Sequence, residues 1–266
     1  MIEKKNILGV GITNATKEQI LEYIIKSLEI FKKKYFIVTA NPEFLVLANK
    51  NLEFKNILNR AELASADGVG VIIAGKILGK SLKSRFSGIE LLENLCKKAV
   101  RKPITVGFLG GRAGVAEEAA ECLRLKHPQL KISFIGEEWN NAGFVLAENR
   151  FSRNSKQIHA DKDISGNQFV NQRESASIDI LFVAFGAPKQ EIWISENLDK
   201  IPVKIAIGVG GAFDYISGKI GRSPVWMQNI GFEWLYRLVR QPWRIKRQVA
   251  LLEFIWLVFK EKISQK

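Results

Sequence analysis

Apolar and polar positions along the chain follow two alternating periods. Short, nearly continuous apolar runs at Tyr35 to Thr39, Glu62 to Ala66, Ile104 to Leu109, Lys131 to Ile135, Ile178 to Phe185 and Val203 to Val209 predict buried strands, with Asn6 to Ile12 as a first strand ahead of them. Between them apolar residues recur every three or four positions. Thr16-Lys17-Glu18-Gln19 is a capping-box sequence, followed at helical spacing by Ile20, Tyr23, Ile24, Ser27, Leu28 and Phe31. Ser87-Gly88-Ile89-Glu90 is a second one, opening a helix to about Ala99. Asn41-Pro42 begins a helix, because Asn caps well and Pro at the first helical position gives up only an N–H that would go unpaired. Further helices are predicted through Phe54, Ile57 and Leu58, from Val69 to Gly79, and from the Gly110–Gly114 turn through Leu123. Strand followed by helix, repeated, predicts an α/β fold: a mainly parallel, Rossmann-like sheet with helices on both faces.

Two stretches break the rhythm. Asn140 to Ser177 is rich in Asn, Ser, Gln and charge, with weak periodicity, and reads as a long polar insertion between two strands, a candidate for mobility. After residue 221 no strand pattern remains. Trp226, Ile230, Trp234, Leu235, Leu238 and Val239 predict an aromatic amphipathic helix, Pro242 breaks it, and a second helix carries Arg244, Lys246 and Arg247 ahead of an apolar run. The expected organisation is a core over residues 1–221 and a helical appendage over 222–266.

Charge sharpens this division. The 266 residues carry 40 Lys and Arg against 27 Asp and Glu, a formal net charge of +13, which implies an anionic partner such as nucleic acid, anionic lipid or a phosphorylated substrate. From Lys219 onward ten Lys and Arg face three Glu. Tryptophan interleaved with arginine there (Trp226, Trp234, Trp243, Trp256) favours a bilayer interface over a solvated helical pair or a nucleic-acid surface, on which the many Ile, Leu, Val and Phe would have no role. The longest apolar run, Val249 to Phe259, is interrupted by Glu253 and is too short to span a membrane. The N-terminus lacks a signal-peptide pattern. Cys96 and Cys122 lie in helical patterns without partner spacing, as buried thiols in a reducing cytoplasm do.

Candidate chemistry gathers where strands hand over to helices. Thr39, Asn41 and Asp67 fall at two such junctions, outside the carboxyl ends of strands, where open α/β sheets build sites. Asp67 is a candidate general base, against the plainer alternative of a helix cap. Gly186-Ala187-Pro188-Lys189-Gln190-Glu191 crowds three polar side chains into a first helical turn. Gly110 to Gly114 fails the G-x-G-x-x-G fingerprint, so it is either a tight turn or a phosphate contact through N–H groups at a helix start. Asp161-Lys162-Asp163 mimics a D-x-D metal motif but sits in the insertion with no strand before it, and is read as a decoy. His127 and His159 have no metal-ligand or triad partner at useful spacing.

Thr39-Ala40-Asn41-Pro42, Ala66-Asp67-Gly68, Phe108-Leu109-Gly110-Gly111, the Gly186–Glu191 segment and Gly208-Val209-Gly210-Gly211-Ala212-Phe213-Asp214 occur in that order. Together they resemble the WecG/TagA/CpsF glycosyltransferase family. The resemblance covers nearly the whole chain except the insertion. It implies inverting transfer from a UDP-sugar, without metal or other cofactor, to undecaprenyl-diphosphate-linked N-acetylglucosamine; the branch it is most similar to adds N-acetylmannosamine in wall teichoic acid synthesis. By the same resemblance Asp67 is the base. Thr39, Asn41 and Gln190 contact substrate, and Arg85, Arg237, Arg244 and Arg247 lie near the diphosphates. The nucleotide contacts expected are Gly110, Gly111, Trp139 (stacking on uracil), Gly186, Lys189, Glu191, Gly210 and Asp214 (on the ribose). A lipid acceptor implies a cytoplasmic enzyme held peripherally at the inner face of the membrane, with the appendage as a lid. An appendage off the membrane would pack on a neighbouring subunit, so a homo-oligomer stays open. The rivals are another UDP-sugar donor within the family (N-acetylmannosaminuronate, glucuronate or a hexose), a Rossmann oxidoreductase, disfavoured by the missing fingerprint, and a non-enzymatic nucleic-acid-binding protein, motivated by charge alone.

Overall fold

Six of the apolar runs pair as one parallel sheet, in the order Leu63–Ala66, Tyr35–Ala40, Val203–Gly208, Ile178–Ala184, Thr105–Gly110 and Lys131–Gly136. The computed structural model describes residues 2–30, 33–137, 177–224, 226–227, 233–240 and 245–265. Trp139, Trp243, Arg244, His159, Asp161, Asp163 and the insertion through residue 176 lie outside them, as do the side chains of Trp234, Arg237 and Arg247. The sheet strands are β3 (Tyr35–Ala40), β4 (Leu63–Ala66), β5 (Thr105–Gly110), β6 (Lys131–Gly136), β7 (Ile178–Ala184) and β8 (Val203–Gly208). The strands β3 and β7 are buried at every position, which is why their sequences run apolar without alternation.

The expected first strand is instead a hairpin of β1 (Lys4–Ile7) and β2 (Val10–Thr13), paired antiparallel and separate from the main sheet. Leu8 and Gly9 both take positive φ, 51° and 82°, the combination a two-residue hairpin turn needs to match strand twist. An apolar Leu at the first turn position hides that turn inside a continuous apolar run.

Helices cover both faces. Against one pack α2 (Pro42–Lys50), α3 (Leu52–Arg60), α4 (Val69–Ile77) and α7 (Lys189–Asn197), together with the hairpin; against the other pack α1 (Lys17–Ile30), α5 (Gly88–Ala99), α6 (Val115–Lys126) and α8 (Ala212–Ile216). The predicted starts hold in detail. Thr16 and Gln19 bond reciprocally at 3.3 and 3.0 Å. Ser87 and Glu90 form a complete capping box, and Asn41 Oδ1 accepts the Phe44 N–H at 3.1 Å with Pro42 behind it.

Beyond the sheet, α9 (Glu233–Arg240) and α10 (Ile245–Ser264) are helical, as the pattern predicts. The polarity pattern set this segment apart from the core, yet α10 packs against α2 and α4. Phe254, Leu257 and Val258 join the first core cluster, and Lys50–Glu253 (2.6 Å) and Lys80–Glu261 (2.9 Å) flank the contact. Among the described residues no helix is long and apolar enough to cross a membrane.

Candidate active site

Register places the site. In the β3–β4 ladder Thr39 pairs with Ser65 and Ala40 with Ala66, so the two strands end level and Asn41 and Asp67 leave the sheet side by side. The Asp67 N–H extends the ladder by donating to Ala40 O at 2.8 Å. The N-cap position of α4 is held by Gly68, at φ 99°, rather than by Asp67. A Cβ on Gly70 would come within 2.9 Å of the Pro42 ring, so the starts of α2 and α4 are in contact.

The loop before α5 closes one side. The Phe86 N–H donates to Ala66 O at 2.9 Å, so Arg85 and Ser87 flank the strand end that carries Asp67. Arg85 is itself held: its Nη2 lies 3.3 Å from Glu90 Oε1, which also takes Lys17 Nζ at 3.0 Å. Glu90 Oε2 accepts from the Ser87 N–H and hydroxyl. Burial works against charge on Glu90, but the Ser87 N–H, Lys17 and Arg85 together hold its carboxyl below the usual range. The start of α5 then presses on the residue after β8 and on the end of β3, where a Cβ on Gly88 would lie 3.1 Å from Val209 O and 3.4 Å from Thr39 Oγ1.

The floor of the site is built from hydrogen bonds between strand ends. Thr39, 4% exposed, donates its hydroxyl to Gly208 O at 3.0 Å. Gln190, 1% exposed, accepts the Gly210 N–H at 3.0 Å through Oε1 and donates from Nε2 to Glu191 Oε1 at 2.6 Å. A Cβ on Gly208 would meet these two side chains at 2.7 and 2.8 Å, so glycine there lets them lie against the strand. The row continues through Val209 N–H to Val183 O (2.9 Å) and Gly111 N–H to Ala184 O (3.2 Å), joining β8, β7 and β5.

The sequence-predicted residues therefore separate into two levels. Asn41, Asp67, Arg85, Gly111, Gly186, Gly210 and Asp214 are half-buried at the rim, and Lys189 is exposed in the first turn of α7. Thr39, Gln190 and Glu191 lie beneath them. Glu191, expected as a nucleotide contact, is wholly enclosed and turned to Gln190. Asp214 makes no side-chain hydrogen bond or ion pair among the described residues. Gly110 answers to packing, since a Cβ there would come within 2.6 Å of the Phe185 ring; Gly110, Gly111 and Gly114 all take positive φ in the turn to α6. Among the described residues no three His, Cys, Asp or Glu groups cluster as metal ligands. Sequence reasoning gave no site role to Glu90, Gly88 or Gly208, although the first two lie in the Ser87–Glu90 capping box and Gly208 opens one of the motifs that carry the resemblance.

Comparison with known proteins gives this arrangement a place. The chain is 32% identical over 236 residues to a Bacillus spizizenii (strain W23) protein, covering 88% of this chain and 82% of that one. It is 26% identical over 265 residues to a Bacillus subtilis (strain 168) protein, covering 100% and 94%, and 29% identical over 260 residues to one from Staphylococcus aureus (strain MRSA252), covering 97% and 93%. Each relative is named N-acetylglucosaminyldiphosphoundecaprenol N-acetyl-beta-D-mannosaminyltransferase. Residues 5–266 match the family described as "Glycosyl transferase WecG/TagA/CpsF family", and the chain belongs to that glycosyltransferase family.

Proposed function

We propose that the chain transfers N-acetylmannosamine from UDP-N-acetylmannosamine to the 4-hydroxyl of undecaprenyl-diphosphate-linked N-acetylglucosamine, with inversion and without a metal ion. The observation in this chain that carries the reading is the level ending of β3 and β4, which sets Asp67 at the rim beside Asn41 and above Thr39. The relatives' names supply the acceptor and the sugar. In a single displacement the acceptor oxygen bonds to the anomeric carbon as the bond to UDP breaks and its electron pair leaves with the diphosphate. The acceptor proton passes to the Asp67 carboxylate late, as the new bond forms. Negative charge growing on the diphosphate is met by N–H groups at the starts of α6 and α7 and by Arg85, joined by Arg237, Arg244 and Arg247. Asp214, with its carboxylate unengaged among the described residues, is placed to hold the ribose hydroxyls.

A lipid acceptor requires a surface. On α10, Val249, Leu252, Trp256, Phe259 and Ile263 are each more than half exposed and recur every three or four residues, on the side away from Phe254, Leu257 and Val258. Lys260 Nζ sits 5.0 Å from the Trp256 ring centre. An apolar stripe with indole and basic groups suits the headgroup boundary of an anionic bilayer, so the enzyme works peripherally at the inner membrane face.

The test is UDP release from a panel of UDP-sugars with a short-chain lipid-diphosphate N-acetylglucosamine acceptor, with and without EDTA. Release from UDP-N-acetylmannosamine, indifferent to EDTA, is expected; preference for an N-acetylmannosaminuronate, glucuronate or hexose donor would replace the sugar assignment. Asp67→Asn is expected to bind UDP and lose turnover by at least about 100-fold. Undiminished turnover in that variant removes Asp67 as the base.

A further inference from the structure

Two acids are buried among the described residues, and they are treated differently. Asp179, at the amino end of the sheet, is paired with Lys204 at 2.7 Å and accepts the Thr105 N–H at 2.8 Å. Glu191 lies under the carboxyl end, with no exposure at all and no cation near it among the described residues. Its Oε1 accepts from Gln190 Nε2, while its Oε2 has no hydrogen-bond partner among the described residues. The mechanism above gives this carboxyl no part.

We propose that Glu191 is a positioning residue of the transfer site, orienting the Gln190 carboxamide and through it the turn after β8. The inference rests on the transferase reading above. A carboxamide has two orientations that differ by exchange of oxygen and nitrogen. An acceptor at Glu191 Oε1 selects the one in which Gln190 Oε1 faces the Gly210 N–H. That bond fixes the Gly208–Gly210 turn, and Gly208 O in turn receives the Thr39 hydroxyl. The chain of contacts thus runs from a wholly enclosed acid to a side chain directly beneath the rim that holds Asp67.

The acid does this in its neutral form. Burial pushes its carboxyl up to about 8, opposed weakly by the Gln190 hydrogen bond and its own backbone N–H. No charged residue among the described ones contributes. From α7 itself the facing group is Gln190, and from β8 only backbone; Arg60 on α3 reaches α7 at Ser195, and Lys34 binds carbonyls from Leu198 to Ile201. Loss of its proton would place an uncompensated charge beneath the site.

The experiment compares wild type, Glu191→Gln and Glu191→Ala, each well below its melting temperature, from about pH 6 to about pH 9. The first readout is UDP release at saturating donor and acceptor; the second is hydrogen exchange at the Gly210 amide. Glu191→Ala is expected to lower kcat at least about tenfold with KM moved by no more than about twofold, and to speed exchange at Gly210. Glu191→Gln, which keeps an acceptor and stays neutral, is expected to recover most of that loss and to lack the decline in kcat expected of wild type near pH 8. Wild-type kcat in folded Glu191→Ala, or the same alkaline decline in Glu191→Gln, overturns the proposal. A wild-type protein that releases UDP from no donor defeats the transferase reading instead. Gly210 exchange then decides for Glu191 alone, and equal rates in the two variants reject its positioning role.

Discussion

Replacing Glu191 with Gln should alter the pH dependence of stability in a direction fixed by burial. The carboxyl has an ordinary value of 4.5 and stands at about 8 in the folded chain. Between those values the unfolded chain has lost the proton and the folded chain keeps it. The stability associated with this group is therefore fully present below 4.5 and is lost as pH rises toward 8. Each pH unit in that window removes about 1.4 kcal/mol. From about pH 6 to about pH 8 the wild type should lose about 2 kcal/mol relative to Glu191→Gln, after allowing for partial ionisation of the folded form at the upper end. For a chain of this size that corresponds to roughly 4–8 °C in melting temperature. The slope is the diagnostic, because an amide N–H in place of Oε2 introduces a constant offset of its own, roughly 1–3 kcal/mol if unpaired. Urea denaturation of both proteins at a series of pH values measures it. Parallel curves across the window would refute the enclosure of a neutral acid at this position, whatever the offset between them.

Other perturbations separate the levels of the structure. Phe254→Ala, at a site 3% exposed, should cost about 3–5 kcal/mol by denaturation. Phe259→Ala on the other side of the same helix, 52% exposed, should cost under about 1 kcal/mol while weakening co-sedimentation with anionic liposomes. Equal costs at the two positions would refute the docking of α10. Gly208→Ala should destabilise by about 1–3 kcal/mol through contact with Gln190 and Glu191 and lower kcat as well, read by denaturation and UDP release. Glu90→Gln should destabilise most at neutral pH. The wild-type advantage depends on a carboxylate held by Ser87, Lys17 and Arg85, so it should fade in acid as Glu90 takes up its proton.

How much of this was legible in the chain depended on whether the physics was local. The helix starts at Thr16, Asn41 and Ser87 were readable because a cap is a contract between residues three apart, and all three form as written. The parallel sheet was readable because strands covered on both faces cannot alternate. The hairpin at Leu8-Gly9 was not: its turn is defined by two positive φ values, and only one of the pair is a glycine. The docking of α10 escaped for the opposite reason. A helix apolar on two sides gives a period that says amphipathic but not which stripe meets protein; only Phe254, Leu257 and Val258 against α2 and α4 decide it.

The site obeys the same division. Thr39, Asn41 and Asp67 could be placed at strand ends from sequence alone, and the β3–β4 register then sets Asn41 beside Asp67. What sequence could not give was depth. Gln190 and Glu191 are adjacent and equally polar, in a helical first turn that looks exposed, yet both point inward because Gly208, on a different strand, leaves space for them. A polar pair can be buried only where each group finds a partner or sheds its charge. Here Gln190 finds Gly210, and Glu191 keeps its proton. The glycine, the amide and the acid therefore form one unit that joins two adjacent residues of α7 to a glycine on β8, a contact no local pattern announces. Altering any one of the three should disturb the Thr39 anchor through the Gly208–Gly210 turn while Asn41, Asp67 and Arg85 stay unaltered, which distinguishes the floor from the chemistry it supports.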